Sequence, residues 1–424
     1  MKKHLKPFKE LPRSILLLVV ASLVSTIIHV SFMTTYSLAM ASQGYTDDII
    51  ASVISYKFIG VMVFALPMGL WIKGRRLKPF FLLTGIFLPA GSFISLYGLH
   101  IDSLIHMKMG GLVSGLSILT MQVCSIPFIL RFTSIGSGQI EAIALKYSTF
   151  PLGSLFSGIF ILLLSQLDSF VMFNTTYNLV GSEGNENILF FISMLSFLSL
   201  PILLLVEEKF ISTKKNIPTF SIQEFFKHNW SRISFTLLPH FLIAIGAGFT
   251  IPFMSLIFNR SFGMSVEQFN YLVPITSLLV FVTQLSVPAL QKRFGNKIMI
   301  IGVQSISIIF LVLLSISISF SMWPYAIYIA AICYIVRQPL MNMAGPSTTQ
   351  LIMNYVGKNN HELLSALQPC VWSGSWFLSA VIFKFLRSHN VPFWTILMIT
   401  ASLYVVGVFC YGHLINREST SRVV

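Results

Sequence analysis

The residues able to do chemistry are few, and most of them are basic. Arg337 lies in Tyr334-Ile-Val-Arg337-Gln-Pro-Leu-Met-Asn342, Lys57 in Ser55-Tyr56-Lys57-Phe58, and His29 and His240 in two long apolar stretches. None of the 14 acidic residues falls in the middle of such a stretch. A central arginine in hydrocarbon costs at least about 2.5–3.5 kcal/mol on the insertion scale, so it must face a partner or a wet cavity. The chemistry these cations offer is non-covalent capture of negative charge. No His-x-x-x-His, Gly-x-Ser-x-Gly or paired-carboxylate constellation occurs, and no phosphate-binding P-loop, which argues against an intramembrane enzyme or an ATP-driven pump.

Each residue carries two readings. Arg337 meets an anionic substrate, or it tethers a helix broken beside Pro339. Lys57 lines an outer vestibule, or it snorkels to the interface, with Asp47 and Asp48 near enough in sequence to compete for it. His29 and His240, on equivalent helices of two halves, relay protons or hydrogen-bond a neighbouring helix. Tyr36, Gln122, Gln338, Asn342, Gln368, Trp372 and Trp376 are the other large polar or amphipathic side chains at cavity depth. Trp372 and Trp376 are one turn apart on a common face, as ligand clamp or as packing.

The elements that must position these residues follow from composition. The 424 residues are 55% hydrophobic and only 10% charged, against about 25% charged in an ordinary soluble domain. A membrane helix needs about 20 apolar residues, and windows of that length give twelve spans. They run at 14–40, 50–71, 79–98, 109–131, 144–166 and 187–206, then 232–258, 269–290, 298–320, 323–346, 364–386 and 392–413. The expected fold is an all-α polytopic membrane protein in two pseudo-symmetric six-helix bundles. Its parts are a basic N-terminus (1–13), a first bundle (14–206), a linker (207–231), a second bundle (232–413) and a tail (414–424). Ile222, Phe225 and Phe226 in the linker are spaced for a short interfacial helix, with a plain solvated linker as the alternative.

The net charge of +14 is compatible with nucleic acid or with loops facing an anionic leaflet, and position decides. With the N-terminus inside, 22 of the 28 basic residues fall on one side and only Lys108, Arg260, Lys384 and Arg387 on the other. That asymmetry predicts cytoplasmic termini in a plasma (inner) membrane and accounts for the charge without nucleic acid. Cys124, Cys333, Cys370 and Cys410 fall in predicted spans with no metal-ligand spacing. Asn174 and Asn259 match the glycosylation acceptor pattern in predicted outer loops.

An internal repeat is visible at an offset of 219: Gly69 and Pro288, Lys73 and Lys292, Pro127 and Pro346 all keep it. After the second span the chain reads Gly69-Leu-Trp-Ile-Lys73-Gly-Arg75-Arg76-Leu-Lys78, and after the eighth Pro288-Ala-Leu-Gln-Lys292-Arg293-Phe-Gly295-Asn-Lys297. Two homologous six-helix halves with a short basic turn in each are the signature of a transporter built from repeats. In these features the chain resembles the major facilitator superfamily, whose signature at that turn is Gly-x-Leu-x-Asp-Arg-x-Gly-Arg-Lys. The second copy matches at Leu290, Arg293, Gly295 and Lys297; the first keeps Gly69 and the basic cluster of Lys73, Arg75 and Arg76. Both copies carry Lys where the family has Asp, at Lys73 and Lys292. The family's aspartate caps a neighbouring helix and pairs with arginine in the outward-facing state, so that gate is in question here. Glu141 and Glu362, at matching starts of the fifth and eleventh spans, are placed to pair with the basic turns, though an acid at a helix N-terminus is favourable by itself.

The resemblance implies a secondary active transporter working by alternating access, expected as a monomer in the bilayer with no resident cofactor and with possible proton or sodium coupling. Cations without a buried acid favour a small anionic or zwitterionic organic solute. The alternatives are a drug-type exporter, whose apolar cavity the 38 Phe and 18 Met would line, and a non-transporting receptor.

Overall fold

The computed structural model describes residue 8 and residues 10–45, 47–133, 138–172, 175–179, 184–208, 230–264, 269 and 271–421. The interfacial helix expected around Ile222 and the glycosylation pattern at Asn174 lie outside the described residues, as do the side chains of Asp47 and Asp48.

Apolar runs too long for a globular core become helices, because only a helix satisfies every backbone group inside hydrocarbon. In chain order they are α1 (Arg13–Ser42), α2 (Asp47–Ile72), α3 (Lys78–His100), α4 (Leu104–Phe132), α5 (Gln139–Ser165) and α6 (Gly184–Leu204). The second six are α7 (Trp230–Phe262), α8 (Leu272–Lys297), α9 (Val303–Ser319), α10 (Ala326–Val356), α11 (His361–Ser388) and α12 (Phe393–Ser421). The run Leu272–Ser319 is 48 residues long and holds two spans, α8 and α9, joined through Gly295 and a π-helical turn at Ile298–Gly302.

Gly295 has φ 79° and ψ 167°, a conformation that only glycine adopts without strain, and this breaks the helix. In the first half the corresponding turn rests on Gly74 at φ 66°. The two turns therefore use a glycine at different registers after the shared lysine.

Two differences from the sequence expectation concern the far loops. The connection after α5 forms an antiparallel hairpin, β1 (Ser169–Met172) with β2 (Thr175–Asn178), in which Phe170 pairs with Tyr177. Its β-branched and aromatic residues fit a pleated surface. Asn259 lies within the last helical turns of α7, not in a loop, and its amide donates to the Met264 carbonyl at 3.0 Å.

The packing is two-fold. In the first half α2 packs on α4, α3 on α4, α1 on α5 and α1 on α6; in the second α8 packs on α10, α9 on α10, α7 on α11 and α7 on α12. Adding six to each helix number converts one set into the other. The contacts between halves obey the same operation: α2 with α11 and α5 with α8, α4 with α11 and α5 with α10. A pseudo-two-fold axis along the spans therefore relates the bundles.

Because successive spans alternate in direction, the start of α1 and the end of α12 lie at one end of the molecule, together with Lys73, Arg75, Arg76, Lys78, Arg131, Lys292, Arg293, Lys297, Lys358 and Arg417. We call this the basic end.

Candidate transport pathway and its closed end

The bundles meet at the basic end. Gly69 of α2 lies so close to α11 that a Cβ on it would stand 2.2 Å from the Ala366 Cβ. Tyr147 of α5 hydrogen-bonds Thr349 of α10 at 2.6 Å, and Gly345, one turn away, lies against the same ring. Gln350 of α10 donates to Gln139 of α5 at 3.0 Å and accepts from Gln291 of α8 at 2.8 Å. Cys370 of α11 reaches the Met62 carbonyl of α2 at 3.7 Å. All of these residues sit in the part of their helices nearest the basic end.

Two ion pairs reinforce this closure, built on acids at equivalent positions of the two halves but with cations on non-equivalent helices. Glu141, in the first turn of α5, accepts from Lys292 at the end of α8 at 2.5 Å. Glu362, in the first turn of α11, accepts from Arg131 at the end of α4 at 2.9 Å. Partial burial holds Lys73 below the usual lysine range, and the nearby Glu362 opposes that shift.

Arg131 is bidentate in function: its other terminal nitrogen donates to Glu208 and to the Arg75 carbonyl, each at 2.9 Å. The Glu208 side chain is 3% exposed and caps α3 through the backbone N–H of Leu77 and Lys78, at 2.8 and 2.9 Å. Lys78 completes the knot by donating to the Leu204 carbonyl at 2.8 Å.

Of the gate residues read from sequence, Gly69, Lys73, Glu141, Lys292 and Glu362 are thus in the closed end. Arg75 contributes its carbonyl there while its side chain is exposed, Arg76 is exposed on the same turn, and Gly295 shapes the opposite turn. Arg293 is exposed and lies over the Phe294 ring at 5.2 Å. Arg131, Glu208, Gln139, Gln350, Tyr147 and Thr349 were missed as gate residues. The available signal was the acidic pair Glu207 and Glu208 where the sixth span ends, beside a lone arginine where the fourth ends.

Farther from the basic end the candidate binding residues form two clusters. In the first half Lys57 is 8% exposed, and its backbone packs on α4, where a Cβ at Gly115 would meet the Lys57 carbonyl at 2.3 Å. His29 of α1 is near enough to feel the Lys57 charge, and its Nδ1 has no protein partner. Among the described side chains no acid meets Lys57. In the second half the His240 ring lies 5.6 Å from Trp372, which lies 6.0 Å from Trp376. The Gln368 carbonyl meets the His240 ring, while His240 Nε2 and Trp376 Nε1 are left without partners. Gln122 of α4 and Asn342 of α10 are exposed at span depth, and Asn342 lies about two turns above the Tyr147 and Thr349 contact.

Two candidates take other positions. The Tyr36 hydroxyl donates to the Ser95 carbonyl of α3 at 2.9 Å, inside its own bundle. Arg337 is 1% exposed and shares a face with the buried Ala330, Cys333 and Ala344; its partners are Tyr404 of α12 and Ser307 of α9. The face of α10 turned to the other half carries Asn342, Gly345 and Thr349 instead. A helix rotates 100° per residue, so the position of Arg337 in the middle of its span did not specify which face it occupies.

The whole arrangement has relatives among solved structures. The chain superposes on a bacterial homologue of the iron transporter ferroportin in an outward-facing state, with TM-score 0.76 and 10% identity over 96% of this chain and 100% of that one. It superposes on FucP, the fucose:proton symporter of E. coli, in an outward conformation, with TM-score 0.74 and 12% identity over 94% and 98%. The proton:xylose symporter XylE bound to 6-bromo-6-deoxy-D-glucose gives 0.69 and 11% over 93% and 94%. Identities of this size establish the fold and nothing finer. No curated protein sequence is a significant match. Residues 16–380 match the family model described as Major Facilitator Superfamily. With twelve spans, two-fold helix pairing and that match over most of its length, the chain belongs to the major facilitator superfamily of membrane transporters.

Proposed function

We propose that this protein is a secondary active transporter of a small organic anion or zwitterion, working by alternating access. The observation that carries the substrate class is Lys57, buried with no acid meeting it among the described side chains, in a chain with no Asp or Glu in a span core. An unpaired ammonium at that depth is costly unless a ligand supplies the negative charge. His240, Trp372 and Trp376 then offer an aromatic wall for the body of the solute. With the basic end in the cytoplasm, as the charge asymmetry predicts, the contacts across the basic end close the cytoplasmic side. Release would follow from opening the Lys292–Glu141 and Arg131–Glu362 pairs.

The test is a thermal-stabilisation screen of the purified protein against organic anions, sugars, peptides and lipophilic cations, with Lys57→Gln alongside. Organic anions should raise the unfolding midpoint of the wild type and leave Lys57→Gln unmoved. Equal stabilisation of both, or stabilisation by lipophilic cations alone, would move the assignment to the drug-type exporter. Uptake into liposomes under an imposed proton or sodium gradient identifies the coupling ion, and rates indifferent to both gradients exclude coupling to either.

A further inference from the structure

We infer that Arg337 holds an occluded monovalent inorganic anion, of the chloride class, inside the second bundle and away from the transport pathway. The guanidinium is 1% exposed, yet its Nε and Nη1 find no acceptor. Those two nitrogens carry three of the five N–H donors of the group. The one side-chain partner is the Tyr404 hydroxyl, 3.3 Å from Nη2.

A phenol, with an ordinary pKa of about 10, supplies no negative charge at neutral pH. Thr250 donates to the Gly246 and Ala247 carbonyls, at 3.2 and 3.3 Å. The ring itself is fixed: a Cβ on Gly246 would stand 2.6 Å from Tyr404 Cε1.

Among the described side chains no acid meets the cation; Glu267 and the side chain of Glu418 lie outside them. The six helices from Trp230 to Ser421 contain two acids, Glu362, which is bound to Arg131 at the basic end, and Glu418, in the last turn of α12. The hydrogen-bond partners of Arg337 are neutral: Tyr404 of α12 accepts from the guanidinium and Ser307 of α9 donates to the Arg337 carbonyl, while Gln304 Oε1, one turn from Ser307, is itself buried without a partner. Water would satisfy the orphaned N–H groups and leave the charge unpaired in a low-dielectric interior. A small anion satisfies both, and no route for an organic solute is needed because the group is enclosed on every side. This site is independent of the proposed transport role of Lys57.

The experiment compares unfolding midpoints of the purified full-length protein in sodium gluconate with those in sodium chloride and sodium bromide at equal ionic strength. Wild type should gain about 3 °C, saturably, from either halide, and Arg337→Gln should gain nothing. Tyr404→Phe keeps the charge and removes its one side-chain partner, so its halide-dependent gain should rise at least twofold. Equal midpoints in halide and gluconate for the wild type, or the same halide gain in Arg337→Gln, would overturn the proposal in favour of water alone. Should Arg337→Gln fail to fold, Tyr404→Phe decides, and a halide gain equal to that of the wild type counts against the site.

Discussion

Lys292 of α8 and Glu141 of α5 meet across the two bundles, Nζ to Oε1 at 2.5 Å, with the lysine standing where the family signature has an aspartate. The acid stands on the facing helix of the other half, so the bridge carries its cation at the signature position. The carboxylate is 3% exposed but the lysine side chain is 62% exposed, so screening limits the pair to about 1 kcal/mol or less. Lys292→Gln should therefore raise opening of the basic end by about fivefold at most, read as distances between spin labels on α5 and α8. Exchanging the two residues, Glu141→Lys with Lys292→Glu, should restore the wild-type distribution. A double variant no better than either single one would show that the pair does not act as a bridge.

Gly69 separates state from stability. Its Cβ position overlaps Ala366 of the other half, whereas the Cβ position of Gly115 overlaps the Lys57 carbonyl of its own half. Overpacking costs about 1–3 kcal/mol in either place. For Gly69→Ala that cost falls only on the conformation with the basic end closed, so cysteines placed in the pathway near the basic end should become more reactive from that side, with the unfolding midpoint little changed. For Gly115→Ala the cost falls on every conformation, and the midpoint should drop. A midpoint loss for Gly69→Ala equal to that of Gly115→Ala would contradict the assignment.

Glu208 closes the first bundle to the second through a single carboxylate. It accepts from two backbone N–H groups at the start of α3 and from Arg131, which in turn holds Glu362. Glu208→Gln leaves a poorer acceptor and an under-neutralised arginine, and should cost about 1–3 kcal/mol. Hydrogen exchange should quicken at the first turn of α3 and of α11 together. Quickening at α3 alone would mean that Arg131 does not transmit the loss.

How much of this was legible in the sequence depends on the kind of signal. Span number, the repeat and the sidedness of charge come from composition summed over many residues, and each helix lies within a few residues of its expected range except where polar ends extend it, as at Gln139 and Val356. Glu141 and Glu362 were visible because the repeat marks them as equivalent. Arg337 was legible as a buried cation but not as one facing Tyr404, because hydropathy fixes depth and leaves azimuth to the packing of neighbouring helices. Glu208 was hidden for a similar reason: its partners Leu77 and Arg131 are 131 and 77 residues away.

The far end offers a pH-dependent contact outside the membrane. The Tyr45 hydroxyl donates to Asp102, and burial together with that carboxylate pushes the phenol from 10.0 up to about 12. A proton held more tightly in the folded state stabilises it fully below the unfolded value and is lost as pH rises through the folded one. The contribution should thus be intact below pH 10 and disappear toward pH 12. Tyr45→Phe should remove one component titrating toward pH 12 from the tyrosinate absorbance and flatten the fall of the unfolding midpoint across that window. An identical alkaline profile in the variant would show that the Asp102 contact does not hold the proton.

Lys57 yields a prediction of opposite signs. Removing a buried charge that has no partner relieves its desolvation, whereas removing one member of a satisfied pair strands the other. With no described acid beside it, Lys57→Met should leave the unligated protein as stable as the wild type or more so, while binding of organic anions falls by tenfold or more. A structural lysine snorkelling to the interface gives the reverse pattern: lost stability from its apolar stem, with anion binding intact. Measuring the unfolding midpoint with and without ligand on the same two proteins distinguishes the cases. The stable, anion-blind outcome would place the negative end of the solute at the ammonium of α2, and the aromatic cluster of His240, Trp372 and Trp376 would then be the next position to vary for the solute's other end.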